Sequence, residues 1–160
     1  MKKPIIVAAI LLIFDQLTKY LVVKLVPYGA AIQIVAPFNF FNVTHLNNTG
    51  AAFSFFQGAN FLFVLLVLVF LIAVCVWLFK NRTKITVLQK YAFALVVAGG
   101  AGNLIDRVFR GSVVDFLDFG INNLRWPSFN IADSCITIAA VLIVVSLLKQ
   151  PAKPAKGKRR

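Results

Sequence analysis

The sequence predicts an all-α membrane protein: four transmembrane helices with a small β-containing extracytoplasmic region. Three observations predict it. The chain is 60% hydrophobic over 160 residues, with only five acidic side chains and no glutamate. Four apolar runs are each long enough to cross a hydrocarbon core about 30 Å thick, which takes about 20 residues as a helix. Most of the 17 Lys and Arg residues fall on one side of the membrane if those four runs cross in turn.

The first run spans about residues 4–26, interrupted by Asp15, Lys19 and Lys24. Its start, MKKPIIVAAILLIF, resembles a secretory signal peptide. The apolar run continues past Asp15, and no small-x-small cleavage pattern follows, so an uncleaved first span is expected. Residues 27–60 carry no Lys or Arg and are too long for a plain turn. Within them IQIV and FNVTHL alternate and are partly β-branched, the pattern of short strands. The second run, 61–79, lacks a single polar side chain. The third, 91–109, keeps its polar residues near its end. SVVDFLDF then alternates again, placing Val113, Asp115, Leu117 and Phe119 on one strand face. The fourth run is 131–148. Residues 1–150 therefore read as one integral membrane domain, with no room for a separate soluble one. Residues 151–160, PAKPAKGKRR, read as a basic disordered tail.

The net charge of +12 invites a nucleic-acid reading, but its distribution argues against one. Lys2 and Lys3 precede the first span, Lys80, Arg82, Lys84 and Lys90 lie between the second and third, and six cations follow the fourth. An excess of Lys and Arg marks cytoplasmic segments. Both termini are therefore expected in the cytoplasm, with the tail against anionic membrane lipids at about 1 kcal/mol per basic residue. Phe53, Phe55, Phe56 and Trp126 suit an interfacial aromatic belt. Cys75 and Cys135 fall inside spans and read as buried free thiols.

Four crossings bring the polar residues of the spans together toward the outer face: Asn103, Asp106 and Arg107 from the third, Asn130 and Asp133 from the fourth, and Lys19 and Lys24 from the first. Polar groups at membrane depth are costly and face the bundle interior or a cavity. Asp15 and Lys19 are four apart on one helix face and read first as a structural ion pair. Arg107 is a candidate to hold a carboxylate, whose geometry its guanidinium matches. Ala98 and Gly102 allow close helix packing. Asn48 is either a turn residue before Gly50 or an amide that binds an extended peptide. Asp115 and Asp133 stand at one depth at the outer boundary. Two partly desolvated carboxylates cannot both ionise cheaply, and such a pair is the acid–base machinery of aspartic proteolysis. An interfacial hydrogen-bond network is the alternative. His45 is the only histidine, which argues against a zinc site. A Ser–Lys dyad using Lys19 or Lys24 stays open, as does a proton-coupled transporter, although a transporter needs polar residues through the full depth.

Five short motifs stand in order along the chain: Asp15-Gln16-x-x-Lys19, Asn48-x-Gly50-Ala51-Ala52-Phe53, Gly102-Asn103-x-x-Asp106-Arg107, Val114-Asp115-Phe116 and Phe129-Asn130-x-Ala132-Asp133. In this order, on four spans, the sequence resembles the signal peptidase II family, the bacterial lipoprotein signal peptidases. The resemblance implies an aspartic endopeptidase of the bacterial cytoplasmic membrane with its active site toward the outer face, and it implies no metal or organic cofactor. It implies removal of signal peptides from diacylglyceryl-modified prolipoproteins, with the cut just before the lipid-modified cysteine. By the same resemblance Asp115 and Asp133 are the catalytic pair. Asn48, Gly50, Asn103, Arg107 and Asn130 bind substrate or support the pair, and Asp15, Lys19 and Asp106 are structural residues near it.

Overall fold

The computed structural model describes residues 2–50 and 59–149. The segment holding Phe53, Phe55 and Phe56, the end of the Asn48 motif and the tail 151–160 lie outside the described residues. The elements run α1 (Lys2–Leu25), β1 (Ala31–Val35), β2 (Phe41–Asn48), α2 (Asn60–Asn81), α3 (Val87–Arg110), β3 (Val113–Ile121), β4 (Leu124–Arg125) and α4 (Ile131–Leu148). All four helices are long and apolar enough to cross a membrane. Large apolar side chains such as Ile10, Phe61, Phe70 and Val141 face outward from them, as lipid-facing surfaces require.

The expected spans are all present, and the largest shift of a boundary is at the start of α3. It begins at Val87, where position 91 was expected. The reason is a capping box: Thr86 accepts the Gln89 N–H while the Gln89 side chain accepts the Thr86 N–H. Gly111, at φ +74°, ends the same helix in a left-handed turn that a side chain would strain.

α3 is the central helix, packed against α1, α2 and α4. Its glycines make this possible, with a broader basis than the Ala98–Gly102 spacing. A Cβ on Gly99 would run into the Ala132 carbonyl, and one on Gly100 would stand 2.9 Å from a Leu71 methyl. A Cβ on Gly102 would stand 2.6 Å from Asp15 Oδ2. Three bare Cα positions thus admit three different helices. The thiols also need correction: Cys135 is buried, but Cys75 is exposed on the outer side of α2, and both are free.

The four strands form one antiparallel sheet in sequence order, capping the end where α1 finishes and α4 begins. Val114 and Phe116 of β3 pack on Val22 and Val26, anchoring the sheet to α1. The expected alternation of β2 breaks once. Val43 pairs with Leu117 but Leu46 with Asp115, so β2 holds one extra residue. This bulge buries both Thr44 and His45 and turns the following residues to the other face. β4, which sequence alternation missed, is held by Arg125: its Nε and Nη2 bind the Asp118 carboxylate at 3.0 and 2.7 Å.

Candidate active site

Five carboxylates in a chain this apolar have separate employments. Asp118 fixes the β3–β4 hairpin and accepts from Asn42 Nδ2 at 3.0 Å. Asp15 and Asp106 both bind Lys19 Nζ, at 3.0 and 2.9 Å, and all three side chains are sealed from solvent. The expected ion pair is therefore a three-member cluster, with Arg110 reaching Asp106 Oδ1 at 3.4 Å from the protein surface. Asp115 and Asp133 are left to face one cavity of about 700 Å³.

The start of α4 fixes Asp133. Asn130 is the N-cap: its side-chain oxygen accepts the Asp133 N–H at 3.0 Å, and Asp133 Oδ2 accepts the Asn130 N–H at 3.1 Å. A carboxylate in a first helical turn is also favoured by the helix dipole. Asp133 Oδ1 accepts from Asn103 Nδ2 of α3 at 2.8 Å. Asp115 sits on β3 opposite Leu46, beside the bulge. Its Oδ2 accepts from Asn48 Nδ2 at 3.0 Å and its Oδ1 from Asn130 Nδ2 at 2.8 Å. Asn130 therefore touches both carboxylates, one through its backbone N–H and the other through its amide.

Every named partner of these four oxygens is an uncharged N–H donor. Such donors orient a carboxylate without neutralising it. Burial, and next to it the charge of Asp133, push the Asp115 carboxyl up to about 6; the Asn48 and Asn130 hydrogen bonds pull against this. Two carboxylates that line one cavity, one of them prone to keep its proton, are an arrangement able to supply a base and an acid.

The cavity wall explains the rest of the site. Phe63 and Val67 of α2 and Ile136 and Ile138 of α4 line its apolar side. Asn48, Asn103 and Arg107 line its polar side. Arg107 does not grip a carboxylate as expected. Its guanidinium donates to the Gly50 carbonyl and to Asn60 Oδ1, the latter at 3.5 Å, and lies 4.7 Å from the centre of the Phe63 ring. It thus pins Gly50, and with it the end of the Asn48 turn in which Asn48 Oδ1 accepts the Gly50 N–H at 3.0 Å. The turn reading of Asn48 holds, and the same amide donates to Asp115, a contact that neither reading named.

Asn60 was missed by sequence reasoning. It looked like the ordinary polar end of an apolar run, but its Nδ2 also donates to the Arg107 carbonyl at 3.0 Å. Gln16 was present in a motif without a role; it donates to Asp15 Oδ2 and to the Gly102 carbonyl, both at 3.1 Å. His45 is structural. Its Nδ1 lies 2.9 Å from the Val26 carbonyl, and its ring packs edge-on against Tyr28.

A family model described as signal peptidase (SPase) II matches residues 7–149. A lipoprotein signal peptidase of Staphylococcus aureus (strain bovine RF122 / ET3-1) is 39% identical over 145 residues, covering 91% of this chain and 87% of that protein. A lipoprotein signal peptidase of Alteromonas mediterranea is 37% identical over 154 residues, covering 94% and 82%. A bacterial membrane enzyme solved by the in meso method at 2.3 Å resolution superposes with a TM-score of 0.85 at 36% identity, covering 98% of this chain and 96% of that one.

Proposed function

The chain belongs to the signal peptidase II family and is a membrane peptidase, and from that premise we propose that it cleaves diacylglyceryl-modified prolipoproteins by an aspartic mechanism. The observation that carries the reading is the buried Asn130, hydrogen-bonded at once to Asp115 and Asp133, the two carboxylates that line one cavity. In this mechanism the ionised carboxylate takes a proton from water held between the pair. The protonated carboxyl donates to the carbonyl oxygen of the scissile bond as the water oxygen attacks its carbon. The resulting diol collapses by breaking its C–N bond. The carboxyl that took the water proton gives it to the leaving nitrogen, the other carboxylate takes a diol hydroxyl proton, and the signal peptide leaves with a new C-terminal carboxyl group. The freed amine becomes the new N-terminus, on the lipid-modified cysteine. Asn48, Asn103 and Asn130 hold the carboxylates through this exchange, and Arg107 holds the Gly50 backbone beside it.

The mostly apolar cavity suits such a substrate. An apolar signal helix lies against Phe63, Val67 and Ile136, and the acyl chains stay in membrane lipid. Purified enzyme mixed with a diacylglyceryl-modified prolipoprotein is expected to release the signal peptide, with the lipidated cysteine as the new first residue by mass spectrometry. Equal cleavage of the unlipidated form, or a cut elsewhere, sinks the substrate assignment.

A Ser–Lys reading through Lys19 is disfavoured because its three N–H groups are already taken by Asp15, Asp106 and Asn103, and Lys24, the other candidate, does not line the cavity. Membership of the family supports a bacterial inner-membrane location for one peptidase domain, and the distribution of cations supports an orientation with both termini and the basic tail in the cytoplasm and the cavity toward the outer face. Reporters fused at Arg160 and in the 80–90 loop are expected to read cytoplasmic, and one at Gly58 external. A cytoplasmic signal at Gly58 reverses the topology.

A further inference from the structure

We infer that Lys19 is a positioning residue for both cavity carboxylates: its ammonium fixes the Asn103 amide toward Asp133 and ties down the two side chains that hold the backbone beside Asp133 and Asp115. The inference rests on the aspartic reading of the site and goes beyond a stabilising ion pair.

A lysine ammonium has three N–H donors and no acceptor. Lys19 spends them on Asp15 Oδ2 at 3.0 Å, Asp106 Oδ2 at 2.9 Å and Asn103 Oδ1 at 3.0 Å. Each acceptor continues to the site. Asp15 Oδ1 accepts the N–H of Ala132, the residue before Asp133, at 2.8 Å. Asp106 Oδ2 accepts the N–H of Val114, the residue before Asp115, at 3.3 Å. Asn103 donates to Asp133 itself at 2.8 Å. Three independent paths from one fully buried nitrogen therefore end at or beside the two carboxylates, although Lys19 does not line the cavity.

The path through Asn103 has a chemical consequence. A carboxamide fits its site in two orientations that exchange a donor for an acceptor. A donor-only ammonium permits the one with Oδ1 toward Lys19, which commits Nδ2 to Asp133. Without Lys19 the amide is free to turn its oxygen to Asp133, and an oxygen there favours a protonated carboxyl over an ionised one. The positive charge acts in the same sense on Asp115. The other charges around the pair are Asp15 on α1, and Asp106, Arg107 and Arg110 on α3.

The test is kinetic, on full-length enzyme in detergent with a diacylglyceryl-modified prolipoprotein. Lys19→Met is expected to lower kcat roughly 100-fold with KM changed less than about threefold, and to move both limbs of the rate–pH profile upward. A merely structural lysine lowers thermal stability but leaves the limbs of the folded fraction in place, and that result overturns the inference. Lys19→Met leaves Asp15 and Asp106 without their shared cation, so its folding is at risk. Asn103→Leu is the second arm, because it keeps the three-charge cluster. It is expected to reproduce the kcat loss and the upward shift; a wild-type profile there also overturns the inference. Activity in Asp115→Asn or Asp133→Asn enzyme defeats the aspartic reading itself. Inactive Asn variants with unmoved Lys19→Met and Asn103→Leu profiles defeat only the role of Lys19.

Discussion

Asp115→Asn and Asp133→Asn are each expected to reduce prolipoprotein cleavage on the order of 10⁴-fold or more. Asparagine keeps the size and planarity of aspartate but neither ionises nor carries a transferable proton. At position 115 the loss leaves Asp133 without a partner to polarise the carbonyl or to share its proton. At position 133 it leaves Asp115, already inclined to stay protonated, with no neighbouring base. A carboxamide at 115 also faces two amide donors, Asn48 Nδ2 and Asn130 Nδ2, and can accept through one oxygen only. Lost hydrogen bonding of this kind costs about 1–3 kcal/mol, which the helical bundle is expected to survive. Each variant should therefore be recovered from membranes at near wild-type level, with the melting of purified protein as the check on folding. The measurement is single-turnover cleavage of a diacylglyceryl-modified substrate. If either variant turns over at near-normal rate, the two aspartates are not a catalytic pair.

What the sequence made legible followed from simple periodicities. Four apolar runs separated by loops of unequal charge gave the spans, and α4 has the expected bounds of 131–148. The convergence of Asn103, Asp106, Arg107, Asn130 and Asp133 also followed, because alternating crossings put those ends on one side. What stayed hidden depended on single side-chain geometries. Asp106 and Asp115 stand nine residues apart in the same polar stretch, yet one closes an ion cluster and the other faces a cavity. The difference lies between a helix end and a strand start separated by Gly111, and composition does not register it. The bulge in β2 is equally silent: FNVTHL reads as plain alternation, and the extra residue shows only in its pairing with β3. Arg107 was assigned a carboxylate because guanidinium groups commonly take one, but the carbonyl of Gly50 and the amide of Asn60 lie in its reach instead. Family resemblance put these residues in one group without saying which atom binds which.

The rate of cleavage is expected to follow a bell against pH. The proposed mechanism uses the singly ionised pair, so activity falls when the last proton leaves and when a second is gained. The limbs belong to the coupled pair and not to either residue. For the alkaline limb the sign is set by Asp115, whose carboxyl is pushed up to about 6 by burial and by the charge of Asp133. Below that pH Asp115 keeps the proton that the mechanism needs; above it the proton is lost and the pair becomes doubly charged. The alkaline limb of kcat/KM, which reports free enzyme, should therefore lie well above the range of an ordinary aspartate, near that value. A bound signal helix displaces water from the cavity, and further desolvation raises carboxyl values. The same limb in kcat, which reports the complex, should lie at higher pH than in kcat/KM. On each side the rate should fall about tenfold per pH unit beyond the limb. The assay is purified enzyme in detergent with a lipidated prolipoprotein, with the folded fraction measured at every pH. A Ser–Lys mechanism requires a neutral lysine and predicts activity that climbs into alkaline pH. A rate that rises monotonically through alkaline pH, in enzyme that remains folded, is incompatible with a proton shared between Asp115 and Asp133.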